Sequence, residues 1–160
     1  MLQRLYRLHF RNERRERLFL ASIGFLVTAA VVRMITYSIH FSVGPFHNVS
    51  AGGVHIHHLV WGILLLLLVG YVWLFEVGVG SSWVASLTAI AYGVGAGLTL
   101  DEFALWLNLQ DVYWQRQGRE SIDALLIFGA LLSVGWWGWP FFADIARFIG
   151  HKATGRGAYE

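Results

Sequence analysis

The chain contains no cysteine and only two prolines in 160 residues. The missing thiols remove disulfide scaffolds, cysteine-ligated zinc fingers, iron–sulfur centres and cysteine nucleophiles together, and they leave the redox compartment unread. Lysine is almost absent as well: Lys152, in the C-terminal tail, is the only one beside eleven arginines. A retinal-type Schiff base needs a lysine inside the bundle, so that chemistry is excluded. Charge is scarce, with 14% Asp, Glu, Lys and Arg against roughly 25% in soluble chains, whose surfaces must face water. Nucleotide fingerprints are missing too, because Gly93-Val-Gly95-Ala-Gly97 sits inside an apolar run with no strand before it. Neither tandem repeats nor low-complexity segments occur.

What is present is apolar. Hydrophobic residues make up 56% of the chain and the mean hydropathy is +0.53, the composition of an integral membrane protein. Crossing the hydrocarbon core takes about 20 apolar residues per helix, and four runs qualify: Leu18–Ile39, Val54–Phe75, Trp83–Leu109 and Ile122–Phe142. Ile63–Val69 is apolar without interruption, whereas barrel strands alternate polar and apolar residues. The expected fold is therefore all-α, an integral membrane bundle of four transmembrane helices after a short amphipathic N-terminal segment. The division is 1–17 for the basic interfacial segment, 18–145 for the four-span domain and 146–160 for a flexible cytoplasmic tail.

Orientation follows from the basic residues, which favour the cytoplasmic side. Arg4, Arg7, Arg11, Arg14, Arg15 and Arg17 precede the first run, and Arg147, Lys152 and Arg156 follow the last. Only Arg116 and Arg119 lie in the third loop, and the first loop has no lysine or arginine. Both termini are expected in the cytoplasm, in a multi-pass protein of the cell membrane. The N-terminal arginines suit the lipid bilayer, through its anionic lipid headgroups, better than nucleic acid, and the basic stretch is too long for an ordinary signal-peptide n-region. Trp136, Trp137 and Trp139 read as an inner aromatic belt.

Ionisable residues that hydrophobicity should exclude from the spans carry the functional signal. Arg33 lies in the outer half of the first run, His55, His57 and His58 open the second, Asp101 and Glu102 lie toward the outer end of the third, and Asp123 begins the fourth. Four helices thus bring polar groups to one outer layer. Ala85, Ala89, Gly93, Gly97 and Asp101 recur every fourth residue, so this small-residue face is expected to pack on a neighbouring helix and carry Asp101 inward. Glu102, turned by about 100°, need not share its pocket. His55, His58 and Gly62 fall on one face of the second helix, with Gly52–Gly53 allowing a sharp entry.

Imidazoles with carboxylates suggest a divalent transition metal, Zn or Fe, held by His55, His57, His58, Asp101 and Glu102 with Arg33 as charge partner. The HIHH spacing matches neither the HExxH helix of metalloproteases nor the ExxH pairs of di-iron bundles. Metal-assisted chemistry on a lipid-like substrate is the enzymatic expectation. Asp111, Arg116, Arg119, Glu120 and Asp123 are candidate substrate or lid contacts, with the two arginines placed to grip a phosphate or carboxylate. The competing reading is structural: an Arg33–Asp101 ion pair fixes register, Asp123 beside Ser121 caps a helix, and Gln110–Ser121 is a solvated hairpin loop with Tyr113 and Trp114 at the interface. In that case the chain is a scaffold, a homo-oligomer or a subunit for a membrane partner. A third alternative is a proton or ion carrier built on His58 and Asp101. His40 and His47 are weaker loop candidates. Asn48-Val49-Ser50 is a glycosylation sequon that matters only in a eukaryotic secretory pathway.

Three segments, GGVHIHHLVWGILLLLLVGY, GAGLTLDEFALWLNLQDVYW and GRESIDALL, resemble a family of small four-helix bacterial membrane proteins of unknown function, actinobacterial in type. The resemblance implies the four-helix architecture and no catalytic assignment. The histidine clusters of membrane desaturases are a more distant likeness, and that family needs several separated boxes where this chain has one.

Overall fold

The computed structural model describes residues 12–47, 50–51 and 54–133, with residues 51, 54 and 55 described by backbone alone. Residues 1–11, the Gly52–Gly53 pair, most of the glycosylation sequon, the tryptophan belt and the C-terminal tail lie outside this range.

Among the described residues the regular elements are helices apart from one small ribbon. Helix α1 (Glu13–His40) starts on Asn12, whose side chain accepts from the Arg14 amide at 2.9 Å, and places Glu13 and Glu16 in its first turn. Both features complement the positive end of the helix dipole. Helix α1 therefore runs without a break through the boundary expected at residue 17. Strands β1 (Ser50–Ala51) and β2 (Val54–His55) pair antiparallel, with Ser50 opposite His55. Helix α2 (His58–Leu74) follows, and a turn with Glu76 at φ 53° leads to α3 (Ser82–Asp101). Ser81 caps α3 through the Val84 amide, at 3.5 Å. The expected third run is interrupted: α3 ends at Asp101, Glu102 breaks the helix at φ −110° and ψ 25°, and α4 (Phe103–Asn108) resumes beyond it. Residues 119–133 form α5.

Helix α3 is the centre of the bundle, and its missing side chains make it so. A Cβ on Gly93 would lie 2.0 Å from the Ala21 carbonyl oxygen, and one on Gly97 would lie 3.1 Å from that of Phe25. Gly95 meets α2 instead, with Leu66 at 2.9 Å, and Gly62 of α2 faces Leu98 and Thr99. Thus the small-residue face expected from its four-residue repeat packs on α1, and the Gly62 face packs on α3. Contacts ascend together along α1 and α3 and run oppositely along α2 and α3, so the helices alternate in direction. Helix α5 closes the group through Leu125, Phe128 and Leu132 on Phe25, Ala96 and Leu100, with Phe25 and Phe128 edge to face at 5.1 Å.

By length and composition, α1 and α3 are long and apolar enough to cross a membrane, while α2, at 17 residues, is a shorter apolar helix. The outer faces match this character. Leu67 on α2, Met34 on α1 and Leu126 on α5 each expose more than half their surface.

The close approach at Gly93 makes a sharp test. Gly93→Leu puts a side chain where backbone already stands and is expected to destabilise the bundle by at least about 3 kcal/mol, the scale of severe overpacking. Gly70→Ala, at a position with open space around the new Cβ, is expected to change stability by no more than about 1 kcal/mol. Unfolding of the two purified variants in detergent, followed by tryptophan fluorescence, separates them.

Candidate functional site

The polar layer is built around two consecutive carboxylates at the end of α3. Asp101 is fully buried, and an isolated charge there would be prohibitive without partners. Its Oδ1 accepts from Arg33 Nε at 2.7 Å and lies 2.6 Å from an Arg33 terminal nitrogen. Its Oδ2 accepts from the Tyr113 hydroxyl at 2.8 Å. The Tyr113 oxygen also lies 2.9 Å from the Thr36 hydroxyl, one turn beyond Arg33 on α1. The Arg33 guanidinium also lies over the Tyr113 ring, 4.9 Å from its centroid. Burial above all, and then the neighbouring Asp101 carboxylate, push the Tyr113 phenol well above the usual tyrosine range.

Glu102 faces α2. Helix α2 begins at His58 on a His57 N-cap that provides no side-chain cap of its own. Glu102 fills that role from another helix: Oε2 accepts from the Leu59 amide at 2.9 Å. A carboxylate at a helix N-terminus gains from both the orphan amide and the dipole. Its Oε1 lies 2.7 Å from His57 Nδ1. His58 sits between the two acids, Nε2 at 3.2 Å from Asp101 Oδ2 and Nδ1 at 3.5 Å from Glu102 Oε2. The first separation is short enough for an ion pair, but buried His58 Nε2 makes no aligned hydrogen bond. The His58 ring thus lies close to both carboxylates without a directional bond from Nε2.

Arg33, His57, His58, Asp101 and Glu102 thus lie together, with the His58 ring near both carboxylates. Two expectations need correction. His55 lies in β2, so it shares no helical face with His58 and Gly62; the helix begins four residues later than the apolar run. Asp123 is exposed and lies beyond the first turn of α5, which begins at residue 119. Ser121, 1% exposed, caps α4 by accepting from the Ala104 amide at 2.9 Å. Of the other loop candidates, Glu120 accepts from Asn108 at 2.8 Å and Asp111 lines the cleft described next, whereas Arg116 and Arg119 are exposed and do not line it. Tyr113 and Thr36 are the residues that sequence reasoning missed as members of the cluster. Among the described residues, no group of three or more histidines and acids is arranged to hold a metal ion. The four carboxylate oxygens already face Arg33, Tyr113, His57 and the Leu59 amide.

Beside this network opens a cleft of about 870 Å³. Its wall is apolar, from Val32, Ile35 and Ile39 of α1 with Ile56, Trp61 and Leu98. Its polar end carries His57, His58, Glu102 and Tyr113, joined by His40 at the end of α1 and by His47 and Asp111 from the loops. Trp114 closes one side, its ring stacked on His40 at 3.8 Å and met edge-on by Tyr37 at 5.1 Å. The third loop is therefore fastened over the end of α1 by Tyr113 and Trp114. In comparisons with known proteins, the chain matches no protein-family model, no curated protein and no solved structure, so its site is read from geometry.

Two measurements follow from the network. Arg33→Met or Asp101→Asn alone strips a buried charge or buried hydrogen-bonding group of its partner and is expected to cost about 3–5 kcal/mol, whereas the double variant loses less than the sum. Unfolding of the three proteins in detergent gives the cycle. Tyr113 binds its proton more tightly in the folded state, so its contribution to stability persists below pH about 10, the unfolded value, and falls as pH rises further. Ultraviolet titration of wild type against Tyr113→Phe is expected to show no phenolate from Tyr113 until well above that pH.

Proposed function

We propose that this chain is a four-span membrane protein with both termini cytoplasmic, and that its cleft binds a lipid-like molecule with the headgroup against the extracytoplasmic polar cluster. Several observations support the membrane part. Two helices have the length and composition to cross, apolar side chains cover the outer faces, and the basic residues of the sequence divide nine to two between the ends. Lipid is the natural cover for such faces, which in water would be aggregation surfaces.

The cleft carries the functional part. It joins a wall of aliphatic and indole side chains to an end lined by imidazole and carboxylate, the division found in an amphiphile. A lipid-like ligand also reaches this place laterally, without leaving the bilayer. If chemistry occurs there, His57 is the residue placed for it, since Glu102 fixes its ring through Nδ1, as an orienting acid does for a general base. Zn or Fe fits the donor types of His57, His58 and Glu102, but their present bonding serves the helices and supports a metal less well than a ligand in the cleft.

A second reading has its own observation. Each carboxylate oxygen of Asp101 and Glu102 already has a protein partner, which suits a scaffold whose cluster ties three helices and a loop together. The two readings separate on Ile35→Trp, which fills the cleft and leaves the network untouched. Mass spectrometry of protein purified in mild detergent is expected to find a bound amphiphile on wild type and roughly tenfold less on the variant, the loss of about 1.4 kcal/mol of binding, at unchanged unfolding temperature. Equal retention by both proteins, or none on wild type, favours the scaffold.

A further inference from the structure

Resting on that cleft, we infer that its ligand carries a positive charge: an amphiphile with an ammonium headgroup. The lining decides the sign. Two carboxylates, Glu102 and Asp111, line the cleft, and among its described lining residues there is no lysine or arginine. Arg33 is turned onto Asp101 and lines a different surface groove. Arg116 and Arg119, the residues expected to grip an anion, are exposed and stand apart from the lining. Glu102 and Asp111 are the acidic groups of the lining, and Arg33 is committed to Asp101. An anionic headgroup would meet both without a fixed cation to hold it.

The wall decides the chemistry of the cation. Trp61, Tyr113 and Trp114 line the cleft, with Arg33 over one face of Tyr113 and His40 stacked on one face of Trp114, and an ammonium group gains from an open ring face as well as from carboxylates. A bare divalent metal needs neither rings nor aliphatic surface, whereas an alkylammonium uses all three. The cleft therefore takes its ligand by charge at one end and by hydrophobic burial along the other.

Isothermal titration of the full chain in amphipol, with three probes of equal chain length below their micellar concentrations, tests this. Dodecyltrimethylammonium is expected to bind roughly tenfold or more tighter than uncharged dodecyl maltoside or anionic dodecyl phosphate. Asp111→Asn, at an exposed loop position, is expected to reduce that preference about threefold, and Glu102→Gln to reduce it further. No binding by any probe would defeat the cleft reading itself. Equal binding of all three, or a preference for the phosphate, would leave the cleft standing and overturn the ammonium assignment. Displacement of the ammonium probe by stoichiometric Zn²⁺ alone would overturn it in favour of a metal site.

Discussion

A carboxylate with no solvent contact, Asp101 at the end of α3, dictates the arrangement of this end of the molecule. Burial of such a group demands a cation and hydrogen-bond donors at once, and they come from separate parts of the chain: Arg33 of α1 and Tyr113 of the third loop, with His58 of α2 alongside. Arg33 reaches Asp101 only because α1 lies very close to α3. The glycines below make that approach possible, since Gly93 and Gly97 let the α1 backbone rest on α3. Packing and electrostatics are here one constraint, because the row of small residues ends on the acid that the approach serves.

Glu102 extends the same logic to the other side. The step from Asp101 to Glu102 turns the second carboxylate away from α1 toward the start of α2, where it meets His57 and the Leu59 amide. The helix breaks at this point, which lets adjacent acids serve two neighbours. His58 then lies within reach of both. The cleft borders the Glu102 side and not the buried Asp101 side, so the structure separates a charge that holds helices from one that faces open space.

Much of this was legible from residue spacing. A small residue every fourth position up to Asp101 reads directly as a contact face, and Arg33 at matching depth reads as its partner. Gly62 gave the α2 contact in the same way. The break at Glu102 was illegible because Leu98–Phe103 contains neither glycine nor proline; what distinguishes the position is a tertiary contact with α2. His55 was misread because an apolar run carries no mark where strand gives way to helix. Tyr113 looked like an interfacial aromatic, since nothing in the loop announces a hydroxyl aimed at Asp101. Asp123 followed its local context beside Ser121, while the cap it suggested runs from Ser121 to a different helix.

Those caps between elements have a consequence for assembly. The first turn of α2 is satisfied by Glu102 and that of α4 by Ser121, each arriving from later in the chain. A helix start stabilised by its own N-cap, as in α1, can form as soon as its residues exist. The starts of α2 and α4 reach their final form only after α3 and α5 have docked. The finished geometry of those two helix starts thus depends on segments synthesised later than the helices they cap.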